Sequence, residues 1–437
     1  MFEVSIIVPS WHYWKDPTKI QPIYEMHYAT VLEDRFGGDN VAVSITDLRG
    51  ISLDQQPSHV PEKDLYLYWI MKSGDYAEVE FLVRFLRSVY PNSLHVAGGT
   101  HIDMCPNESK ELFDAIVVGP GEESFSNVID DIRQGGLKQK IYVTDYKNVH
   151  YGSFPYMKRH FLPKTAIVNN RVFDKYGDSI KGTCVLFSRG CNFKCAYCVY
   201  NVPGKIQRKP DFMVEEEIEY LKKEYSVEAI NLKDEIALPA VKSSCSSFLE
   251  AIGRTNIRWR GQTTVWGADK ENIRLAAESG CTELAVGIES AQANVREIVA
   301  KKLSDKQIND FIENCHINNI KVKLCLIIGL PGEKQSIYED TLKFIEDTKV
   351  DYVAVSGFNP FPGSKIYNNQ EYYGIKYVDK DWGKHAHLLY RFDNEENVGL
   401  PFEYLPENRW GKTFTKDQIA SNIKKIQRYC EERNLTY

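Results

Sequence analysis

The sequence predicts two α/β units in series: a doubly wound parallel sheet, then a partial barrel of six βα repeats, with a small C-terminal extension. Three observations predict this. Short β-branched runs alternate with helix-period segments over the first 135 residues, and a second alternation begins at Thr183. The length of 437 residues also exceeds what one small domain holds. With 43% apolar and 26% charged residues the composition is that of a globular chain, so disordered and fibrous classes are excluded.

The elements follow in order. Residues 4–8, 41–45, 65–68, 94–97 and 115–118 read as strands, separated by helical patterns at 23–36, 76–89 and 123–133. Ligands on such sheets sit at the carboxyl ends of the strands. Two glycine-bearing turns fall there, Gly98-Gly99-Thr100-His101 and Gly119-Pro120-Gly121-Glu122. Each permits a tight turn or a close backbone approach to a ligand. Residues 136–182 break the rhythm and read as a connection. From 183 to 380, strands are expected at 184–188, 229–232, 258–263, 283–287, 321–327 and 352–357. Helices are expected between them at 214–225, 242–252, 270–278, 305–318 and 337–348. Six such repeats suit a barrel or partial barrel with its chemistry at the strands' C-terminal ends. Residues 381–437, with Trp382, His385, His387 and a final helix at 416–433, read as the extension.

Charge and hydropathy narrow the function. The balance of 54 basic to 60 acidic residues leaves a formal charge of −6, which gives nucleic-acid binding no support. No apolar run is long enough to span a bilayer, and residues 1–8 read as a strand rather than a signal peptide. A cytoplasmic protein with no membrane partner is the expectation. Six of the ten cysteines (Cys105, Cys245, Cys281, Cys315, Cys325 and Cys430) are scattered, and reduced thiols within packed elements are expected. The other four, Cys184, Cys191, Cys195 and Cys198, crowd into fifteen residues, which points to metal or redox chemistry.

The decisive segment is Ser188-Arg189-Gly190-Cys191-Asn192-Phe193-Lys194-Cys195-Ala196-Tyr197-Cys198, on the loop after the first barrel strand. Three thiolates there can hold three irons of a [4Fe–4S] cube and leave one iron open for chemistry. Structural zinc is the alternative, and it needs a fourth ligand from Cys184 or a distant His. The Cys-x3-Cys-x2-Cys spacing with Tyr197 before the last cysteine resembles the signature of the radical S-adenosylmethionine (SAM) superfamily. That resemblance implies metal ligation by Cys191, Cys195 and Cys198, and a partial (βα)6 barrel. It also implies reductive cleavage of SAM to a 5′-deoxyadenosyl radical that abstracts hydrogen from substrate.

Further segments extend the resemblance over roughly residues 184–367. Asn231-Leu232-Lys233-Asp234-Glu235 ends the second strand, where Asp234 and Glu235 would accept from the SAM amino group. Gln262, in Trp259-Arg260-Gly261-Gln262-Thr263, would contact SAM. In the Gly287-Ile288-Glu289-Ser290 segment, Gly287 would admit the adenosine while Glu289 or Ser290 binds ribose hydroxyls. Lys301 falls where relatives carry a cation for the SAM carboxylate, though it could equally be a solvated lysine. Gly329-Leu330-Pro331-Gly332-Glu333 and Pro360-Phe361-Pro362-Gly363-Ser364 resemble the family's fifth- and sixth-strand segments.

The N-terminal half resembles the cobalamin-binding-type domains that precede many such barrels. The resemblance makes Gly98, Gly99, Gly119 and Gly121 cofactor-binding residues. Two departures stand out: no Asp-x-His-x-x-Gly motif offers a histidine to cobalt, and Pro120 replaces the usual Glu. The implied subgroup is the class B, cobalamin-dependent methyltransferases, using a [4Fe–4S] cluster, SAM and cobalamin. Its substrate would be a small molecule or peptide, its reductant a flavodoxin or ferredoxin, and its methyl acceptor an unactivated carbon. The alternative is a radical rearrangement, cyclisation or oxidation, without methyl transfer and without a corrinoid. No residue is identified as catalytic. Aromatic crowding at Trp11-His12-Tyr13-Trp14 favours packing, and Lys205, Arg208 and Lys209 read as a solvated basic loop.

Overall fold

The computed structural model describes residues 1–12, 14, 16–169, 173, 180–200, 204–238, 242–385 and 400–436. Tyr13 and His387 lie outside the described residues. Two compact units are present, one formed by residues 1–169 with 381–386, the other by 170–380 with 387–437.

The first unit is built on a six-stranded sheet, sheet A. Its strands are β1 (Phe2–Val8), β2 (Val41–Asp47), β3 (Leu65–Trp69), β4 (Leu94–Gly98), β5 (Ala115–Val118) and β6 (Ile141–Val143). The order is β2-β1-β3-β4-β5-β6, and every neighbouring pair is parallel. Helices α1 (Ile23–Phe36), α2 (Ser73–Val89), α3 (Thr100–Met104), α4 (Pro106–Leu112) and α5 (Gly121–Arg133) connect them. Alternate residues of each strand feed two cores. Ile6, Leu67, Val96 and Val117 pack with Tyr28, Leu32, Phe125 and Val128. Ile7, Tyr68, Ala97 and Ile116 pack with Val79, Leu82, Val83 and Leu86 on the other face. Both faces are thus covered, as a parallel sheet requires, and each buried aliphatic side chain contributes about 1.5–3 kcal/mol. The order reverses direction between β1 and β3, the switch point where doubly wound sheets open a crevice.

The second unit carries sheet B: β7 (Gly182–Val185), β8 (Ala229–Leu232), β9 (Arg258–Thr263), β10 (Cys281–Glu289), β11 (Lys321–Ile328) and β12 (Tyr352–Gly357). These strands pair in sequence order, all parallel. Between them run α6 (Asp211–Tyr225), α7 (Lys242–Arg254), α8 (Lys270–Glu278), α9 (Ala293–Ile298), α10 (Asp305–Ile317) and α11 (Ile337–Thr348), and α12 (Lys416–Glu432) follows. Local signals set several starts: Asp269 caps α8, and capping boxes at Ser304/Gln307 and Thr415/Gln418 open α10 and α12. Along β11, Val322, Leu324, Leu326 and Ile328 are buried while Lys323, Cys325 and Ile327 are half-buried. That period of two separates a face under the helices from an open face.

The structure differs from the sequence expectation in several places, among them the short helices α3, α4 and α9, which were not expected. Residues 136–182 supply β6, a three-residue strand too short to show periodicity. The first barrel strand stops at Val185, because Asp234 takes the Phe187 amide (2.9 Å) and the Ser188 hydroxyl. Ser188–Arg189 then pairs antiparallel with Gln207–Arg208. Finally, the basic loop is a solvated face only at Lys205. Lys209 is 1% exposed, and the Arg208 guanidinium lies 3.9 Å from the Phe248 ring centre.

Candidate active site

The cysteine loop leaves β7 and lies at the C-terminal end of sheet B. Three backbone bonds pin it: Ala196 N to Val299 O (2.9 Å), Cys198 N to Cys195 O (3.1 Å) and Ile366 N to Ala196 O (3.0 Å). Gly190, at φ +89°, turns the chain into the loop, and its amide donates to Glu235 Oε2 at 3.1 Å. Amides of Phe193 and Tyr200 point at the sulfurs of Cys191 (3.4 Å) and Cys198 (3.3 Å). Such donors favour thiolate over thiol.

Burial pushes the Cys191 thiol up, and pushes Cys198 to about 11, with repulsion from neighbouring cysteines adding to both. Three thiolates crowded together need a positive partner. The Lys301 ammonium is within electrostatic reach of Cys191 and Cys195. Its own proton is disfavoured by burial but held more firmly overall, because Glu289 and Cys195 outweigh that cost. Three thiolates on one loop match three irons of a [4Fe–4S] cube, whereas structural zinc needs four ligands. Cys184 is buried within β7, with Asn231 Nδ2 3.9 Å from its sulfur, and belongs to the strand.

Around the loop stand other residues singled out from the sequence. Lys301 Nζ pairs with Glu289 Oε1 at 3.1 Å, both side chains nearly buried. The Tyr197 hydroxyl donates to the Glu289 carboxylate, and burial with that neighbouring charge drives its pKa well up. Glu289 sits at φ +68°, where a bulge in β10 re-aims its side chain. Gly287 makes this possible: a Cβ there would lie 2.4 Å from Glu289 Oε1 and 3.3 Å from Lys301 Nζ. Burial raises Glu235 to about 7, and its neighbour Asp234 adds to the shift. Asp234, raised to about 6 by burial, has both oxygens engaged by Phe187 and Ser188. Gln262 lies exposed near the end of β9, with its carbonyl accepting from Ala237 N at 2.8 Å. Ser290 is fully buried, its hydroxyl accepting from Gln292 N at 3.2 Å.

The four glycines belong to the other unit. A Cβ on Gly119 (φ +94°) would lie 1.9 Å from Thr144 O, and one on Gly121 would strike Tyr28 and Phe125 at 2.9 Å. At Gly98 and Gly99 it would meet the Trp69 ring and the Ile70 backbone. All four stand where the chain packs too closely for a side chain.

Two features escaped the sequence reading. Arg296, on α9, is fully buried and donates to Ser290 O (2.8 Å), Ala291 O (3.0 Å), Leu303 O (2.9 Å) and Asp305. It ties the turn carrying Glu289 and Ser290 to the strand of chain carrying Lys301. Nothing in the sequence distinguishes it from a surface arginine. Lys233, Arg260 and Lys323 share one electrostatic neighbourhood with Glu283, which lies 3.6 Å from Arg260. Burial pushes both lysines down. The polar positions 321 and 323 in an otherwise apolar strand could have signalled this.

The sequence profile of the Radical SAM superfamily matches residues 185–345, which run from the last residue of β7 into α11. Residues 185–345 are a radical SAM domain. Such a domain takes a [4Fe–4S] cluster and SAM, as the three cysteines and their surroundings suit. An uncharacterised methyltransferase of Pyrococcus horikoshii is 25% identical over 306 residues, covering 65% of this chain and 65% of that protein. A bacteriochlorophyllide d C-8(2)-methyltransferase of Chlorobaculum tepidum is 23% identical over 338 residues, covering 74% and 72%. The chain thus spans just under two thirds of the Pyrococcus protein's length. Among solved structures, the radical SAM methyltransferase TsrM of Kitasatospora setae superposes with a TM-score of 0.67 at 15% identity. That match covers 86% of this chain and 77% of TsrM, so the shared fold extends beyond the radical SAM domain.

Proposed function

We propose that this chain is a cobalamin-dependent radical SAM methyltransferase. The observation that carries the reading is the joining of the three-cysteine loop to the Tyr197–Glu289–Lys301 network at the C-terminal end of sheet B. Support for the corrinoid comes from sheet A, whose order leaves a crevice at β1 and β3, and from the relatives. TsrM shares the fold and has been solved with cobalamin and a [4Fe–4S] cluster bound.

In this reading residues 1–135 form the corrinoid domain, 136–182 the connection, 183–380 the barrel and 381–437 the extension. Cys191, Cys195 and Cys198 hold the cluster, and the backbone at Gly98, Gly99, Gly119 and Gly121 lines the corrinoid site. When bound, the cluster and SAM supply a 5′-deoxyadenosyl radical and the corrinoid supplies a transferable methyl group. The chain's own residues position these groups. Glu235 accepts from the SAM amino group, while Asp234 keeps the loop entrance folded. Lys301 holds the SAM carboxylate, Glu289 and Ser290 the ribose hydroxyls, and Tyr197 keeps Glu289 oriented. Gly287 admits the adenosine and Gln262 contacts SAM from β9. The Lys233, Arg260 and Lys323 side chains suit a polar small-molecule substrate, although a peptide carrying such a group would satisfy them equally. A low-potential reductant such as flavodoxin or ferredoxin, and a cytoplasmic setting suited to ten free cysteines, complete the reading.

Anaerobic reconstitution with iron, sulfide and hydroxocobalamin tests it. Expected are a bound corrinoid absorption band, 5′-deoxyadenosine on reduction, and labelled methyl from SAM in the product of an accepted substrate. Reductive 5′-deoxyadenosine formation with no retained corrinoid would instead assign a rearrangement, cyclisation or oxidation. No reductive cleavage at all would overturn both.

A further inference from the structure

A second set of metal-binding side chains lies in the sheet A unit, after β4. His101 lies on α3, Cys105 at the junction where α3 ends and α4 begins, and Glu108 in the first turn of α4. One ligand atom from each, a ring nitrogen, the thiol sulfur and a carboxylate oxygen, all lie within 4.8 Å of one another.

The decisive detail is His101. Its side chain is buried, the residue being 2% exposed, and its Nδ1 lies 2.9 Å from Ser73 Oγ. With Nδ1–H donating to that hydroxyl, the lone pair of the neutral ring falls on Nε2. Among the described residues Nε2 is buried without a hydrogen-bonding partner. The Tyr76 ring lies 4.4 Å away, centre to centre, and Trp382 meets the imidazole edge-on at 5.1 Å, so the ring is held in place. Glu108 is oriented in turn, because Trp382 Nε1 donates to its Oε1 at 2.8 Å. A hydroxyl behind the histidine and an indole behind the carboxylate are the supporting contacts that a metal ligand normally has.

We propose that His101 Nε2, Cys105 Sγ and the Glu108 carboxylate bind one divalent transition-metal ion of the zinc type. A mixed N, S, O set selects such an ion over magnesium or calcium, which prefer oxygen alone. Binding exchanges the Cys105 thiol proton for a metal–sulfur bond and releases that proton to solvent. Water supplies the fourth ligand on the exposed side, where Glu108 lies. Through Glu108 and Trp382 the ion fastens the short segment around Trp382 onto α4.

The test counts metals in the full chain, both wild type and a background carrying Cys191→Ala, Cys195→Ala and Cys198→Ala to remove the iron ligands. After zinc loading and desalting, the background retains one zinc per chain by mass spectrometry. His101→Ala or Cys105→Ser lowers that at least tenfold, and Ser73→Ala or Trp382→Phe weakens zinc affinity by about 10–100-fold. Should a variant fail to fold, Cys105→Asp serves in its place: with cobalt loaded, it keeps the ion but loses the thiolate-to-cobalt absorption band. Zinc below a tenth per chain in the background overturns the proposal. So does zinc that survives both His101→Ala and Cys105→Ser.

Discussion

Glu333→Gln should flatten the alkaline side of this protein's stability profile. Glu333 follows β11, and its Oε1 accepts from Gly329 N (2.8 Å) and Leu330 N (3.1 Å), closing a turn that Tyr404 holds through Gly329 O at 2.8 Å. The residue is 6% exposed, and Oε2 has no partner among the described residues. Burial raises this carboxyl from 4.5 to about 8, against the two amide bonds, which favour the charged form. The native state therefore keeps a proton that the unfolded chain releases as pH rises from about 4.5 to 8, and stability falls across that window. Each unit of difference corresponds to about 1.4 kcal/mol, so the ceiling is about 5 kcal/mol; relaxation and water entry make ~2–4 kcal/mol a fairer expectation. Glutamine keeps both amide bonds and does not titrate. Urea unfolding followed by tryptophan fluorescence under anaerobic conditions, at pH 5 and pH 8.5, reads the difference. The variant should match the parent at pH 5 and exceed it at pH 8.5. Parallel profiles for the two proteins would refute the argument that Glu333 is buried as the acid.

Other perturbations have equally definite outcomes. Arg296→Met strands two buried carbonyls and a half-buried one and should cost about 3–5 kcal/mol in urea unfolding, with SAM affinity falling as well; an unchanged midpoint would count against its bracing role. Lys301→Met leaves Glu289 without its ion pair and removes the ammonium within reach of Cys191 and Cys195. It should weaken SAM binding at least tenfold by isothermal titration, whereas Lys302→Met should not. Gly287→Ala puts a methyl 2.4 Å from Glu289 Oε1, and should reduce 5′-deoxyadenosine formation more than it reduces iron content. Replacing any one of Cys191, Cys195 and Cys198 by Ala should abolish the cluster's absorption near 400 nm, while Cys184→Ala should retain it.

Some of this was legible in local sequence. The cysteine spacing sits on one loop, so its chemistry needs no long-range information, and the strand–helix rhythm records which faces must be buried. Strands β8, β9 and β12 and helices α1, α8 and α11 fall where periodicity puts them. Elements of two to five residues, such as β6 and α3, escaped because they complete no period. The fate of the basic loop escaped for another reason. Whether Arg208 is solvated depends on Phe248, forty residues away on α7, and charge alone carries no record of that ring.

Sequence by itself determined the two α/β units, the three-cysteine spacing and the family resemblance, because each is written in spacing along the chain. Only the tertiary structure decided what the remaining polar residues do. Asp234 became a brace for the loop entrance, and Arg296 a buried clamp. Trp382 and His385, distant in sequence from His101 and Glu108, came to stand beside them. A polar side chain's role is set by which partners remain once water is removed, and those partners are brought together by folding.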